Sequence, residues 1–569
     1  MYTKTYSFQS STPVLYSPGA EYGFVTEAVR ASHPDLQIPE INAAFEVPYW
    51  YLGRELTSLS SDASGCRAVS ELPVPLIFKA AVPRSGNYQV TVTIAPGPEI
   101  SRLILFTGRR RLVWIGTLQE EETFSHSFTV NVSDIIPRGT ETRREDRSIN
   151  LAICGSCPRI SEVKIQEIHV PTLYIAGDST VTDQTGEYPY HPEQCYCGWG
   201  QALPLYLKEG AALSNHAHSG LTTESFREEG HHAIVMEAIR PGDFFFMQFG
   251  HNDQKLPHLK PREGYRDNLL RYIEEVRAKG AWPVLVTPLA RNSWKGNDGT
   301  YNDLLAAQAQ VCLELGRECH VPVLDLHQKS MDFIMKNGLE NAKRYFYPGD
   351  YTHTNDYGGV RMAGFVAEEC RNMLTEAPYS YLREYFREPD FTFEPPLQVF
   401  PSQPPEGFED NREKQTGPSL PGEIDRPEDP LLRAEALDLI IQAVHFFPTN
   451  VYNDMYRDVV GHEWYAGSVE CAFQNGMIDR HLVEEDCFRP AAPATLEEFL
   501  SIALNGLKSR VTLPDTAGMA TYPGGSGWAQ QFLKAALRME MISGQERPDR
   551  MLTRQEANEI ALKISAIVG

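Results

Sequence analysis

Thr172-Leu-Tyr-Ile-Ala-Gly-Asp-Ser-Thr-Val181 is an apolar run that stops abruptly at Gly177-Asp178-Ser179. A short continuous apolar segment bounded by turn residues reads as a strand buried on both faces. This one delivers a serine hydroxyl just past its carboxyl end. Further apolar runs follow at 211–215, 243–249, 282–287 and 321–326, separated by amphipathic segments such as 268–279 and 301–319. Apolar strands alternating with helices predict a parallel sheet covered on both sides, with reactive loops at the carboxyl ends of its strands. The pattern gives a five-stranded, three-layer α/β/α domain over 171–385, closed by a helix at 357–374.

The flanks have a different texture. Residues 1–170 hold short alternating runs at 76–82, 88–94 and 124–132, and in the last of these Phe124, Phe128, Val130 and Val132 share a face. Period-two runs at this spacing predict an antiparallel β-sandwich, of the galactose-binding-like or jelly-roll type. The triplet Arg109-Arg110-Arg111 reads as a solvated turn. Residues 386–428, rich in proline and acidic groups, read as an exposed linker. The segment 429–569 is mostly helical with a weak internal repeat. Arg433-Ala-Glu435, Thr495-Leu-Glu-Glu498 and Thr553-Arg-Gln-Glu556 each open a helix. These strings, with Gly461-His-Glu-Trp464 and Gly527-Trp528-Ala529, resemble surface-layer homology repeats, which implies a module that attaches exported proteins to cell-wall polymers. An oligomerising helical module is the other reading.

Over 569 residues the formal charge is −23. That balance argues against nucleic-acid or anionic-membrane partners, which need basic patches. Met1-Tyr-Thr-Lys-Thr-Tyr-Ser-Phe8 lacks the apolar core of a signal peptide, and no run reaches the ~20 apolar residues of a membrane helix. The expectation is a cytoplasmic protein, with an exported or surface-associated one as the alternative if a leader precedes it. Wall binding by the tail is not expected without export. Cys154-Gly-Ser-Cys157 and Cys195-Tyr-Cys197 have no second pair at metal-ligand spacing, so they read as reduced thiols and no metal is expected.

Three motifs follow Ser179: Ala217-His218-Ser219-Gly220, Phe249-Gly250-His251-Asn252-Asp253 and Asp350-Tyr351-Thr352-His353-Thr354-Asn355. Together they supply what ester hydrolysis needs. Gly220 lets a backbone N–H approach a substrate oxygen, and the Asn252 amide adds a second donor. The plain readings are a turn glycine and a loop asparagine. Asp350 and His353, three residues apart, are spaced for the carboxylate to fix the imidazole tautomer and free Nε2 as a base toward Ser179. Asp178 reads as a turn-former bonding nearby N–H groups. No Gly-x-Ser-x-Gly elbow surrounds Ser179.

These four blocks resemble the SGNH (GDSL-like) hydrolases. The fuller strings Ile-Ala-Gly-Asp-Ser-Thr-Val, Gly198-Trp199-Gly200-Gln201 and Asp-x-Thr-His-Thr-Asn look like its rhamnogalacturonan acetylesterase group. The resemblance covers 171–385 and implies an enzyme that removes acetyl groups from pectic sugars without a cofactor. By position it implies Ser179 as nucleophile, His353 as base and Asp350 as its orienting carboxylate. The Ser179 N–H, Gly220 N–H and Asn252 amide would form the oxyanion hole. For an acidic oligosaccharide, Lys255, His258, Lys260, Arg262 and Arg291 are the candidate cations, and Trp199 and Trp294 the candidate stacking surfaces. Their plain readings are a charged surface loop and, for Trp199, packing beneath the nucleophile turn. Two other functions fit the same motifs: an acetyl xylan or other glycan acetylesterase, and a carbohydrate-binding or wall-associated protein with a vestigial hydrolase domain. A homo-oligomer closing over short substrates is a further expectation.

Overall fold

The computed structural model describes residues 1–10, 12–33, 45–46, 56–70, 74–136, 142–187, 189–295, 300–348, 350–372, 377–396, 426–446, 448, 456, 458–459, 463–484, 487–508 and 510–568. Most of the proline-rich segment expected over 386–428 therefore lies outside the described residues, as do Gly461 and His462. The chain forms two compact units, 1–292 with 305–411, and 293–304 with 412–569.

The first unit opens with two antiparallel sheets. In the larger, Gly86–Ile94 lies between Phe124–Val132 and Ile160–Ile168. Its alternation explains its placement: Tyr88, Val90, Val92 and Ile94 are buried while the residues between them are partly exposed. The smaller sheet runs Tyr22–Phe24, Leu76–Ala81, Ser148–Cys154, Ile100–Thr107 and Arg111–Leu118.

The antiparallel strands end at Ile168, and a parallel sheet begins at Thr172. Its strands are β1 (Thr172–Gly177), β2 (Ala212–Asn215), β3 (Phe244–Gln248), β4 (Trp282–Val286) and β5 (Val323–Leu324), in the order β2-β1-β3-β4-β5. Alternate side chains enter two cores. Leu173, Ile175, Phe244, Phe246, Val284 and Val286 share one cluster with sandwich residues such as Phe78 and Val90. Tyr174, Ala176, Phe245, Met247 and Leu285 pack on the other face, against helix α1 (Arg266–Ala278), whose Leu269, Tyr272, Ile273 and Val276 form its buried stripe. Both faces are covered, which is why these strands read as continuous apolar runs. Helix α2 (Ala306–Cys319) starts later than the amphipathic pattern suggests, because Thr300–Tyr301 pairs with Trp294–Lys295 as a small hairpin. Helix α3 (Asp356–Asn372) closes the layer.

The arginine triplet is not a solvated turn. It joins Ile100–Thr107 to Arg111–Leu118, and Arg110 is 1% exposed. Its Nη1 donates to both carboxylate oxygens of Asp356, Nη2 donates to the Tyr196 carbonyl and Nε to the Gln184 carbonyl. The Tyr190 hydroxyl donates to Asp356 as well. Burial opposes the guanidinium charge, and Asp356 outweighs it, holding Arg110 firmly protonated. On either side, Arg111 pairs with Asp183 and the Arg109 carbonyl accepts from Gln201. A solvated turn was the natural expectation because no sequence pattern announces an arginine whose partner lies 246 residues away.

In the second unit, three helices open on glutamates that reach back to the capping backbone. Glu435 accepts from Leu432 N–H, Glu498 from Thr495 N–H and Glu556 from Thr553 N–H. Isolated bridges Leu432↔Pro493, Thr495↔Met551 and Pro430↔Thr553 join the three starts pairwise. Arg433 crosses to Glu498 and Arg554 to Glu435, while Glu556 takes Arg550 instead.

Replacing Arg110 by Met should lower unfolding stability of the first unit by about 3–5 kcal/mol, the usual cost of stranding one charge of a buried pair. Adding Asp356→Leu should recover much of that loss, as urea unfolding of the full chain would measure.

Candidate active site

The loops after β1, β2 and β3 meet where the strand order reverses, the crevice that doubly wound sheets use for ligands. Ser179 sits in a single turn directly after β1. The Asp178 carbonyl accepts N–H bonds from Val181 and Thr182, and the Asp178 carboxylate accepts the Thr180 N–H and hydroxyl at 2.9 and 2.7 Å. This is the turn-forming part expected of Asp178. Its other oxygen lies 3.2 Å from Nδ1 of the buried His251, whose Nε2 meets the Leu289 carbonyl at 2.9 Å. Burial raises the Asp178 carboxyl, but His251 and Thr180 overcome this and hold it below the usual range.

Ser179 Oγ lies 2.7 Å from Nε2 of His353, and His353 Nδ1 lies 2.7 Å from Asp350. A carboxylate can only accept, so Nδ1 carries the proton and Nε2 receives the Ser179 hydroxyl's hydrogen bond. The second Asp350 oxygen takes the N–H groups of Thr352 and His353 at 2.8 and 2.9 Å. Burial works against the charge on Asp350, yet His353 and these N–H groups hold its carboxyl below the ordinary value. The loop is held from behind. Thr354 exchanges hydrogen bonds with the Cys197 backbone. A Cβ on Gly358 would fall 1.9 Å from the Tyr345 carbonyl, so α3 approaches closely only because glycine stands there. Tyr196 meets the His353 ring edge-on at 5.7 Å and stacks on Tyr347 at 3.7 Å.

Gly220 has φ +89°, a left-handed backbone that favours glycine, and a Cβ there would meet nothing within 4 Å. The requirement at this position is conformational rather than steric. Its loop is tied to the nucleophile turn by Thr182 Oγ1 donating to the Ala217 carbonyl and by Asn215, which bonds Val181 O, Asp183 and Ala217 N. It is tied to the β3 loop by Asp253. One oxygen of that fully buried carboxylate accepts the Thr223 N–H and hydroxyl, the other the Gly250 N–H, and burial pushes its carboxyl up to about 6. Asn252 Nδ2 donates to the Leu221 carbonyl at 3.0 Å, and its Oδ1 accepts from Lys255 at 3.1 Å. Ser179, His353, Asp350, Gly220 and Asn252 thus stand on four neighbouring loops.

The expected sugar-binding residues fare differently. Trp199 is 0% exposed, with its indole N–H donating to Gln248 at 2.7 Å, so it packs under the nucleophile turn and has no face for a ligand. Arg291 is 3% exposed, beside the His251 carbonyl, and is a core residue. Arg262 projects into solvent and forms a two-pronged pair with Glu314. His258 pairs with Glu224. Trp294 lies in the hairpin assigned to the second unit, edge-on to Tyr301. Among the expected cations, Lys255 is bonded to a member of the candidate site, through Asn252. The organising roles of Asp253 and Asp356 went unread, although both stand inside the quoted motifs or next to them; an aspartate in such a motif does not reveal which groups, near or distant, it will hold.

Comparison with known proteins identifies the family. The GDSL-like lipase/acylhydrolase family matches residues 175–359. The rhamnogalacturonan acetylesterase RhgT of Bacillus subtilis is 36% identical over 209 residues, 34% of this chain and 88% of that protein. The same organism's probable rhamnogalacturonan acetylesterase YesY is 34% identical over 37% of this chain and 98% of its own. Among solved structures, that of YxiM from Bacillus subtilis spans 65% of this chain and 98% of its own at 21% identity and a TM-score of 0.35. On the family match and the relatives RhgT and YesY, the chain belongs to the GDSL-like lipase/acylhydrolase family, within its rhamnogalacturonan acetylesterase-like group, and is an esterase.

Proposed function

We propose that this protein is a carbohydrate acetylesterase that removes O-acetyl groups from pectic, rhamnogalacturonan-type oligosaccharides through a Ser179–His353–Asp350 acyl-enzyme mechanism. The observation that carries the reading is the hydrogen-bond chain from Ser179 Oγ through His353 to Asp350, both links at 2.7 Å. The substrate class is supported by the names of the relatives RhgT and YesY.

In this mechanism Ser179 Oγ attacks the acetyl carbonyl carbon as His353 Nε2 takes its proton. Charge collects on the former carbonyl oxygen, facing the Ser179 and Gly220 N–H groups and the Asn252 amide. Collapse breaks the C–O bond to the sugar, whose oxygen leaves with the proton held by His353. Water then attacks the acetyl-serine under the same base, releasing acetate and restoring Ser179. Asp350, ionised throughout, holds the imidazole in the tautomer that presents Nε2 and stabilises the imidazolium.

Acetate release from acetylated rhamnogalacturonan oligosaccharides tests the reading, with acetylated xylo-oligosaccharides and intact polymer as comparison. Ser179→Ala should abolish release, and Asn252→Ala should cost about 100–1,000-fold in kcat. Faster release from the xylan pieces would replace the substrate and keep the chemistry; release surviving in Ser179→Ala would sink the mechanism.

The pH profile gives a second check. The base must be neutral to accept the Ser179 proton, so kcat/KM should fall on the acid side. Asp350 does not contribute to that fall, because its carboxyl sits below the usual range. For the same reason Asp350 contributes stability above the ordinary carboxylate pKa of about 3.9. That contribution disappears as pH falls through its lower folded value. An Asp350→Asn variant that keeps the full kcat/KM would contradict this assignment.

A further inference from the structure

Asn252 has a side chain that works only one way round. Its carboxamide offers an acceptor on one side and two N–H donors on the other. If it turns over, the face toward a developing oxyanion changes from attractive to repulsive. Two contacts decide the orientation. The Leu221 carbonyl can only accept, so nitrogen must face it, and the Lys255 ammonium can only donate, so oxygen must face it. Lys255 is placed for this by its own backbone. It ends a short 3-10 turn, Asp253–Lys255, and its N–H returns to the Asn252 carbonyl at 3.1 Å. The start of that turn is pinned by buried Asp253, which also grips Thr223, three residues past Gly220. One N–H of Asn252 is thereby committed to Leu221, the neighbour of Gly220, and the other is left for the substrate oxygen.

We propose that Lys255 is a positioning residue for the oxyanion hole: by clamping Asn252 Oδ1 it fixes the amide's orientation and polarises its N–H groups toward the transition state, rather than serving as a cation for an acidic sugar. The inference rests on the proposed role of Asn252 in ester hydrolysis. The ammonium pulls electron density toward Oδ1, so the N–H groups become stronger donors as charge builds on the substrate. Its effect belongs to kcat, since the donor matters most in the transition state.

The test is a double-mutant cycle on the full chain with p-nitrophenyl acetate, an ester with neither sugar nor carboxylate, and in parallel with acetylated rhamnogalacturonan oligosaccharides. Lys255→Met, which keeps an unbranched apolar chain, should lower kcat about tenfold on both substrates with little change in KM, a fraction of the loss from deleting an oxyanion donor. Lys255→Arg should restore most of it. In an Asn252→Ala background, Lys255→Met should cost nothing further, because a group acting through another has no effect once that one is gone. Full kcat in Lys255→Met, independent losses in the cycle, or a loss confined to raised KM on the acidic oligosaccharides would each overturn the proposal. Thermal unfolding of each variant separates these results from misfolding. Activity persisting in Ser179→Ala, or an undiminished kcat in Asn252→Ala, would instead defeat the underlying reading, and does so independently of Lys255.

Discussion

A buried ion pair holds the first unit in register. Arg110 leaves the turn between two sandwich strands and ends on Asp356, three residues beyond His353. Charges out of water persist only when hydrogen bonding around them is nearly complete, and here the carboxylate also receives Tyr190 while the guanidinium also binds the Tyr196 and Gln184 carbonyls. These contacts touch the segments on both sides of the reacting atoms. Gln184 belongs to the chain leaving Ser179, and Tyr196 packs against the His353 ring. A shared apolar core surrounds the pair, so the sandwich and the parallel sheet are one body rather than two modules on a tether.

The site repeats that logic on a smaller scale. Each reactive group comes from a loop, where backbone N–H groups lack regular partners, and in each loop a carboxylate collects them. Asp178 holds Thr180, Asp253 holds Thr223 and Gly250, and Asp350 holds Thr352 and His353. The acids differ in consequence. Asp350 and Asp178 face an imidazole and stay low, whereas Asp253 is bonded to neutral donors in a dry setting, with the Asp178 charge nearby, and is pushed up to about 6. Precise placement therefore depends on buried acids that never touch substrate in the proposed mechanism.

How much of this was legible in the sequence follows from the range of each interaction. Strand positions were readable because double-sided burial forces continuous apolar runs, and β1, β3 and β4 fall within a residue or two of those runs. The serine, the glycine, the asparagine and the Asp-x-x-His pair were readable because local spacing restricts what they can reach. Arg110 was misread, since a charge triplet in a turn looks the same whether water or a distant carboxylate receives it. Trp199 was misassigned for a related reason: an aromatic next to a reactive turn has the same signature above the site as below it, and only the Gln248 partner decides. Among the cations, sequence marked Lys255, Arg262 and Arg291 alike, yet one bonds the site asparagine, one a helix glutamate and one lies in the core.

The arginine turn also changes what counts as the inheritable piece of this enzyme. A stretch from 171 to 385 looks like a self-sufficient hydrolase in one dimension. Cut out, it would carry Asp356 with no counter-charge and would lose the sandwich share of the apolar cluster to which Leu173, Ile175 and Phe246 belong. Recombination at the visible seam near residue 170 would transplant the reactive groups without the wedge that seats them. The smallest portion that can be exchanged intact reaches back through Arg110 into the sandwich.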